Sequence, residues 1–562
     1  MNKIIPLCII LLFLTDCAHL LKRDHSPRHN KKGVNIPEEA GEYPEVSEKD
    51  ILRGKLSPFR SCYDVTYYNL SLALNIKNKS ITGNCQINAI TQNDFDTLQV
   101  DLFENMEILS IKKSEKDLSF YRKHNAVFIE MPDMKKDSLF EITIQYEGIP
   151  EEAKNPPWDG GFVWDEDKNK TPFIGVACEG TGASLWWPNK DHPSDEPDSV
   201  RLHITVPDTL IAIGNGQLES LEKADSTATY TWLVKNPINN YNITLNIGDY
   251  IEISDTLINS SGVHKLNHYV LSYNKETAFK YFPQAREVVH FFEKIFGEYP
   301  FWEDGYKLVE TPYAGMEHQS AIAYGNGYTT SGHYYIYDLV DYIILHETAH
   351  EWWGNSLTAC DGADIWLHES FATFSEVLFV EEKLGRLVSI DYLKKKRSYI
   401  SNKLPMVGPR NVNYWGFDDV YWKGAWVLHT LRSVINDDDI FFKWIKESQK
   451  KFRHSIICSD EFIEFINKET EIDLDYFFQQ YLFDRKPPVF DYYQNDSTFH
   501  YKWSGVHDKF IMPVDILVNK KRNRIYPTIQ DQTMEITKHS LIEILDREFY
   551  IKKSLILEQK TP

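Results

Sequence analysis

Two histidines and two glutamates, by type and spacing, define the chemistry open to this chain. His346 and His350 stand four residues apart in His346-Glu347-Thr348-Ala349-His350. On a helix that spacing places both imidazoles on one face, about one turn apart, where two nitrogens can bind one ion. Eighteen residues lie between His350 and Glu369, which stands in Trp366-Leu367-His368-Glu369-Ser370-Phe371-Ala372. An antiparallel helical hairpin would carry the Glu369 carboxylate to the same ion. Catalytic zinc takes three protein ligands and keeps one position for water, with two His and one Glu a known set. Glu347, between the two imidazoles, would face that open position and take a proton from the water as general base. With 19 histidines and 82 acids in 562 residues, His-acid-x-x-His arises by accident roughly 0.1 times, and a further acid at one set position lowers this to about 0.015. Chance is therefore a weak explanation.

This pattern, His-Glu-x-x-His followed by eighteen residues and Glu, resembles the aminopeptidase N family of gluzincins, which includes leukotriene hydrolase. Further motifs carry the resemblance. Trp352-Trp353-Gly354-Asn355 is similar to the aromatic-Gly-Asn after that family's zinc helix, Tyr313-Ala314-Gly315-Met316-Glu317-His318 to its exopeptidase signature, and Tyr421-Trp422-Lys423-Gly424 to its Tyr-x-Lys-Gly. Upstream, Trp187-Pro188 and Asp195-Glu196-Pro197 resemble the end of the family's N-terminal domain, and Glu179, nine residues before Pro188, stands where members place a Gln or Glu that meets the substrate amine. The resemblance runs from about Tyr63 to Leu482 and implies one zinc per chain on His346, His350 and Glu369. It also implies Glu347 as base, Tyr421 as donor to the oxyanion, and Glu317 with Glu179 as anchors for a free α-amine. The sequence departs at His318 and His368, where members have Asn, and at Ser370, where they have Gly; these positions bear on fine specificity. Peptides are the implied substrates. An endopeptidase, an epoxide hydrolase and a non-catalytic peptide-binding protein of the same fold are the alternatives.

The elements that must position these residues are readable from apolar periodicity. Two helices carry the ligands: one from about Leu339 to Trp353, with Asp338 as its expected cap, and one from about Ile365 to Leu384, ended by Gly385. A preceding face of Val288, Val289, Phe292, Ile295 and Phe296 stops at Gly297. Trp352, Trp353, Trp366 and Phe371 read as core. Between Tyr63 and Tyr250 the period is two, in Leu70-Leu72-Leu74-Ile76, Phe140-Ile142-Ile144-Tyr146 and Tyr241-Ile243-Leu245-Ile247, with a turn at Asn78-Lys79-Ser80. Such alternation predicts antiparallel strands in a β-sandwich or saddle. After Pro487-Pro488 alternation returns in Phe499, Tyr501, Trp503 and Val514, Ile516, Val518. The expected fold is a multidomain α+β protein: an N-terminal β-domain over 59–250, a mainly helical domain over 251–486 that the resemblance makes thermolysin-like, and a short C-terminal β-domain over 487–562.

Ahead of these, residues 18–58 read as a polar tether. Ile4 to Leu14, behind Lys3 and before Leu14-Thr15-Asp16-Cys17, is too short to span a bilayer and resembles a bacterial lipoprotein signal over 1–17. Cys17 would then carry lipid; with Asp16 before it, plain secretion is the alternative. The protein is accordingly expected in the periplasm, on a bacterial envelope membrane, or secreted. Seven cysteines are too sparse for a disulfide framework, and buried free thiols are preferred over a pairing of Cys62 with Cys85. Lys and Arg total 61 against 82 acids, a formal charge of −21, which argues against nucleic acid as a partner, because a duplex needs a basic footprint to displace its counterions.

Overall fold

The computed structural model describes residues 45–329, 339–414 and 419–556. The proposed signal, Cys17, Asp338 and most of the tether lie outside them. The tether's end is not structureless: Glu48–Gly54 forms a helix, α1, whose N-cap Ser47 and Asp50 make a reciprocal capping box.

The N-terminal unit is built on an eight-stranded sheet with smaller sheets of four and three strands against it. Tyr63–Asn75 and Ser80–Thr91 form the predicted hairpin, its turn using Lys79 at φ 52°. Leu70, Leu72 and Leu74 point inward, as do Phe140, Ile142, Ile144 and Tyr146 of Leu139–Gly148. One expectation fails here. Tyr63–Asn75 pairs antiparallel on one side but parallel with Ser199–Pro207 on the other. Parallel neighbours need a long crossover, and the intervening chain, which includes Glu179, supplies it. A second difference concerns Tyr241. It lies in a 3₁₀ turn, Asn240–Asn242, and the strand begins only at Leu245. The Asn239 side chain accepts from the Asn242 amide at 3.1 Å and ends the extended pattern.

The middle unit opens with a five-stranded sheet ordered Tyr250–Asn259, Gly262–Leu271, Leu308–Glu310, Ile322–Tyr324 and, at its edge, Gly315–Met316. Of its helices, α2 (Pro283–Phe296) and α3 (Tyr342–Ala349) pack on this sheet, α4 (Trp366–Leu384) packs on α3, and α5 (Asp419–Ile435) packs on α4. α2 and α4 end at Gly297 and Gly385, both at positive φ, as their sequences predict. α3 is shorter than expected. Asp341 is its N-cap, accepting from the Ile343 amide at 2.9 Å while Tyr281, Tyr324 and Asn326 also donate to its carboxylate. Beyond Ala349 the chain tightens into i→i+3 bonds from Glu351 to Thr348 and from Trp352 to Ala349, then turns at Gly354. Trp352, Trp353, Trp366 and Phe371 are buried as core, with the Trp353 and Phe371 rings stacked 3.8 Å apart.

The C-terminal strands form sheets of four and three. Their Phe490, Phe499, Trp503, Val514 and Ile516 belong to the same apolar core as the helices, whereas the N-terminal strands have a core of their own. Cys62 and Cys85 are buried free thiols, as preferred. The unforeseen bond is Cys360–Cys458, closing 98 residues; nothing in local spacing links two cysteines so far apart.

Candidate active site

α3 supplies His346 and, as its C-cap, His350, and α4 supplies Glu369 one turn from its start. Their facing atoms form a small triangle: His346 Nε2 to His350 Nε2 is 3.3 Å, His346 Nε2 to Glu369 Oε2 3.5 Å, and His350 Nε2 to Glu369 Oε2 3.6 Å. Ligands about 2.1 Å from one tetrahedral ion stand about 3.4 Å apart, so the triangle has the size that zinc requires. Its outer shell agrees. His346 Nδ1 donates to Glu376 Oε1 at 2.9 Å, and Tyr392 donates to the other Glu376 oxygen at 2.5 Å. His350 Nδ1 donates to the Trp353 carbonyl at 2.9 Å. Both Nε2 lone pairs are thereby left for a metal. Glu369 Oε2 is buried with no hydrogen-bond partner among the described residues, as a metal-directed oxygen would be.

Around this triangle the structure gathers the other four predicted residues. Oxygens of Glu317 and Glu347 lie within 4.8 Å of a His350 nitrogen, and oxygens of Glu179, Glu317 and Glu369 within 4.8 Å of one another. Tyr421, in the first turn of α5, faces the His346 ring with centroids 6.3 Å apart. Burial raises the Glu347 carboxyl to about 7, against the pull of His346. It also raises Glu179 and Glu317, and neighbouring acids push both further. The Tyr421 phenol is raised by burial and then by Glu369, Glu179 and Glu317, so it stays protonated. Carboxylates this close and this desolvated need cations, and the site fits both a metal and a ligand ammonium.

Local packing explains how each is held. A Cβ at Gly315 would stand 2.8 Å from Glu347 Oε1, so the edge strand passes α3 only without a side chain there. α5 meets α4 at Gly424, where a Cβ would fall 1.9 Å from Ser370 Oγ; that hydroxyl donates to the Val420 carbonyl at 2.7 Å, next to Tyr421. His368, in place of the family's Asn, is buried and accepts from the Ala359 amide at 2.8 Å. It fastens the start of α4. Asn355 donates to the Glu317 carbonyl at 2.8 Å and accepts from Asn242 at 2.6 Å.

Two residues of this site went unread in the sequence. Tyr241 donates to Glu317 Oε1 at 3.1 Å, and Asn242 accepts from the Gln319 amide at 3.1 Å while holding Asn355. Tyr241 fell on the apolar face of an alternating pattern. The signal against a strand was Pro237-Ile238-Asn239-Asn240-Tyr241-Asn242, which is turn-forming.

Comparison with known proteins decides the family. The Peptidase M1 N-terminal domain matches residues 65–241, and the Peptidase family M1 domain matches 282–481. The chain belongs to the M1 peptidase family. Probable aminopeptidase 2 of Sulfurisphaera tokodaii is 22% identical over 484 residues, covering 81% of this chain and 59% of that protein. Leucyl aminopeptidase of Saccharolobus solfataricus is 24% identical over 394 residues, covering 65% and 46% respectively. This chain thus spans about half the length of such relatives. Among solved structures, the M1 zinc metallopeptidase from Deinococcus radiodurans superposes with a TM-score of 0.65 at 18% identity, covering 80% of this chain and 97% of that one. A mutant of that enzyme bound to a Tyr-Ser-Ala substrate gives 0.64 at 19% identity, with 80% and 98% covered. The M1 fold therefore holds for the β-domain and the helical domain alike.

Proposed function

We propose that this M1 family member is a zinc aminopeptidase that hydrolyses the first peptide bond of peptides with a free amino terminus. The observation that carries this reading is the pair Glu179 and Glu317, whose carboxylates converge beside the triad from the two domains. A peptide's ammonium, with an unperturbed pKa of ~7.7–8.0, meets them through charge-assisted hydrogen bonds. Holding the amine limits how far the chain enters, so only the first bond reaches the triad.

Zinc on His346, His350 and Glu369 would polarise the scissile carbonyl and acidify a water. Glu347 takes the proton of the attacking water and delivers it to the leaving amine. Tyr421 donates its phenolic proton in a hydrogen bond to the developing oxyanion. The test is a panel of amino-acid anilides and their N-acetyl counterparts, assayed with and without chelator. Free-amine anilides should be cut, acetylated ones very poorly, and chelation should stop hydrolysis until zinc is restored. Rapid cleavage of an acetylated peptide at an internal bond would replace this reading with that of an endopeptidase.

We further propose that the enzyme works outside the reducing cytoplasm. The Cys360–Cys458 disulfide supports this, as does the lipoprotein-like start with Cys17. Labelling cells with a palmitate analogue, in wild type and Cys17→Ser, distinguishes a lipid anchor from plain secretion.

A further inference from the structure

α1 precedes both matched family domains, yet it touches both of the units that build the site. It has seven residues and buries none of them fully, so its own apolar packing holds it weakly. Its position is set instead by its carbonyls. Leu52 O accepts from Gln99 Nε2 at 3.2 Å, Arg53 O and Lys55 O from Arg60 Nη1 at 2.6 and 2.9 Å, and Gly54 O from His192 Nε2 at 3.2 Å. These are the acceptors that a helix C-terminus leaves open. Arg60, itself buried, donates to Asp101 Oδ2 at 2.5 Å. The helix end is thus bolted to the β-domain.

From that mount two contacts reach toward the cleft. Arg53 Nη2 lies 3.4 Å from Asp191 Oδ2, with both side chains mostly buried. Its guanidinium lies against Gly182, where a Cβ would come within 1.7 Å of Nη2 and 2.3 Å of Asp191 Oδ2. Gly182 closes the turn that presents Glu179: its amide donates to the Cys178 carbonyl and the Thr181 amide to the Glu179 carbonyl, both at 2.6 Å. Asp191 also accepts from the Ser184 amide and hydroxyl at 3.2 and 2.5 Å, just beyond the turn. On the other side, Asp50 O accepts from the Asn413 amide at 2.9 Å, and a Cβ at Gly54 would stand 2.0 Å from the Val412 carbonyl carbon. That loop belongs to the helical domain. Its Gly408 amide donates to Ala363 O at 3.2 Å, its Asn411 amide to Asp361 Oδ2 at 2.9 Å, and Arg410 pairs with Asp364 at 2.9 Å, all in the turn that leads into α4 and Glu369.

We propose that α1 is a clasp joining the Glu179 turn of the β-domain to the loop that supports the metal-binding helix, and that Arg53 is the positioning residue through which it acts on substrate-amine binding. This rests on the aminopeptidase reading for its effect on substrate, but not for the clasp itself. Arg53 touches neither substrate nor metal. Its guanidinium, packed against Gly182 and paired with Asp191, fixes the turn's backbone and so the direction of the Glu179 carboxylate.

The test uses the full-length protein with Arg53→Gln, Arg53→Lys, Glu179→Gln and the double variant Arg53→Gln/Glu179→Gln. Hydrogen–deuterium exchange reads the clasp without reference to activity: Arg53→Gln should speed exchange in both 178–184 and 411–413 while α3 and α4 keep their protection. Unchanged exchange in 178–184 would overturn the proposal, whether or not the protein cleaves peptides. Kinetics on a free-amine anilide reads the consequence. Arg53→Gln should raise KM about tenfold with kcat within about twofold, and Arg53→Lys should recover part of the loss. The double variant should be no worse than Glu179→Gln, because Arg53 acts through Glu179. Additive losses, or a fall in kcat alone, would overturn the positioning role. A wild type inactive on every free-amine anilide would instead refute the aminopeptidase reading and leave the exchange result to decide the clasp.

Discussion

His346, His350 and Glu369 come from two consecutive helices of one domain, and their supports Glu376 and Trp353 lie on or beside the same helices. Glu179 and Glu317, a few ångströms away, come from a turn and from the end of an edge strand on opposite sides of the domain boundary. Glu317 is held by Tyr241 and by Asn355, which Asn242 holds in turn, while the Glu179 turn packs against the Arg53–Asp191 pair. The proposed metal centre is therefore a local construction that a single helical hairpin can hold. The proposed amine site would exist only when two separately cored units are docked correctly. Between them a third small apolar cluster, Ala177, Tyr313, Met316 and Ala323, straddles the boundary next to both acids.

That contrast is most severely tested at the triad. Glu369→Gln should lose zinc by elemental analysis and lower kcat/KM by at least about 10⁴-fold, since it removes a ligand and strands buried imidazoles. Retained stoichiometric zinc would mean that the triangle is not the metal site. Next comes Glu347→Gln, expected to keep zinc while kcat falls about 10³-fold; full activity would sink the mechanism. Tyr421→Phe should lower kcat about 10²-fold with KM nearly constant, because its bond forms in the transition state. A pure KM effect would move Tyr421 from the metal side of the comparison to the substrate side.

Changes on the amine side should act differently, raising KM for free-amine substrates and sparing metal content. Glu317→Ala should cost about tenfold or more in KM and exceed Glu179→Ala, because Glu317 follows a paired edge strand and is held by Tyr241 and Asn355. Loss of zinc in either variant would show that the two regions are not separable. The change that leaves the comparison itself untouched is acid loosening, which reaches both units. His192 in the β-domain and His429 in α5 are held neutral, each pushed to about 3 by burial. Their folded pKa values lie below the unfolded ~6.5, so their contribution is complete above about pH 6.5 and declines as pH falls toward 3. Each adds a slope of at most about 1.4 kcal/mol per pH unit. Urea midpoints measured at pH 7 and pH 5 should differ accordingly, and His192→Gln should flatten the dependence.

The asymmetry between the two regions also governs what could be read from the chain. Ligand spacing follows from helix geometry, so His346, Glu347, His350 and Glu369 declare themselves over two dozen residues. The helices' stops at Gly297 and Gly385 were legible for the same reason, since a cap with positive φ and extended ψ, as both adopt, is open essentially to glycine alone. The start of α3 was not. Asp338 and Asp341 are equally good caps by type, and the choice of Asp341 depends on Tyr281 and Tyr324, which arrive from other elements. Glu317 and Glu179 were found through resemblance to a family rather than through any period, because turn acids have none.

By itself, then, the sequence determined the elements and the spacing of the candidate ligands, because helix and strand periods and a four-residue spacing are properties of neighbouring residues. Only the tertiary structure decided the rest: the parallel pairing of Tyr63–Asn75 with Ser199–Pro207, the Cys360–Cys458 bond, Tyr241 as a partner of Glu317, and the clasp of α1 across the domain boundary. Each joins residues tens to hundreds of positions apart. Contacts at that separation are selected by the burial of whole faces and the pairing of desolvated polar groups, and no short-range pattern encodes which distant partner will be there.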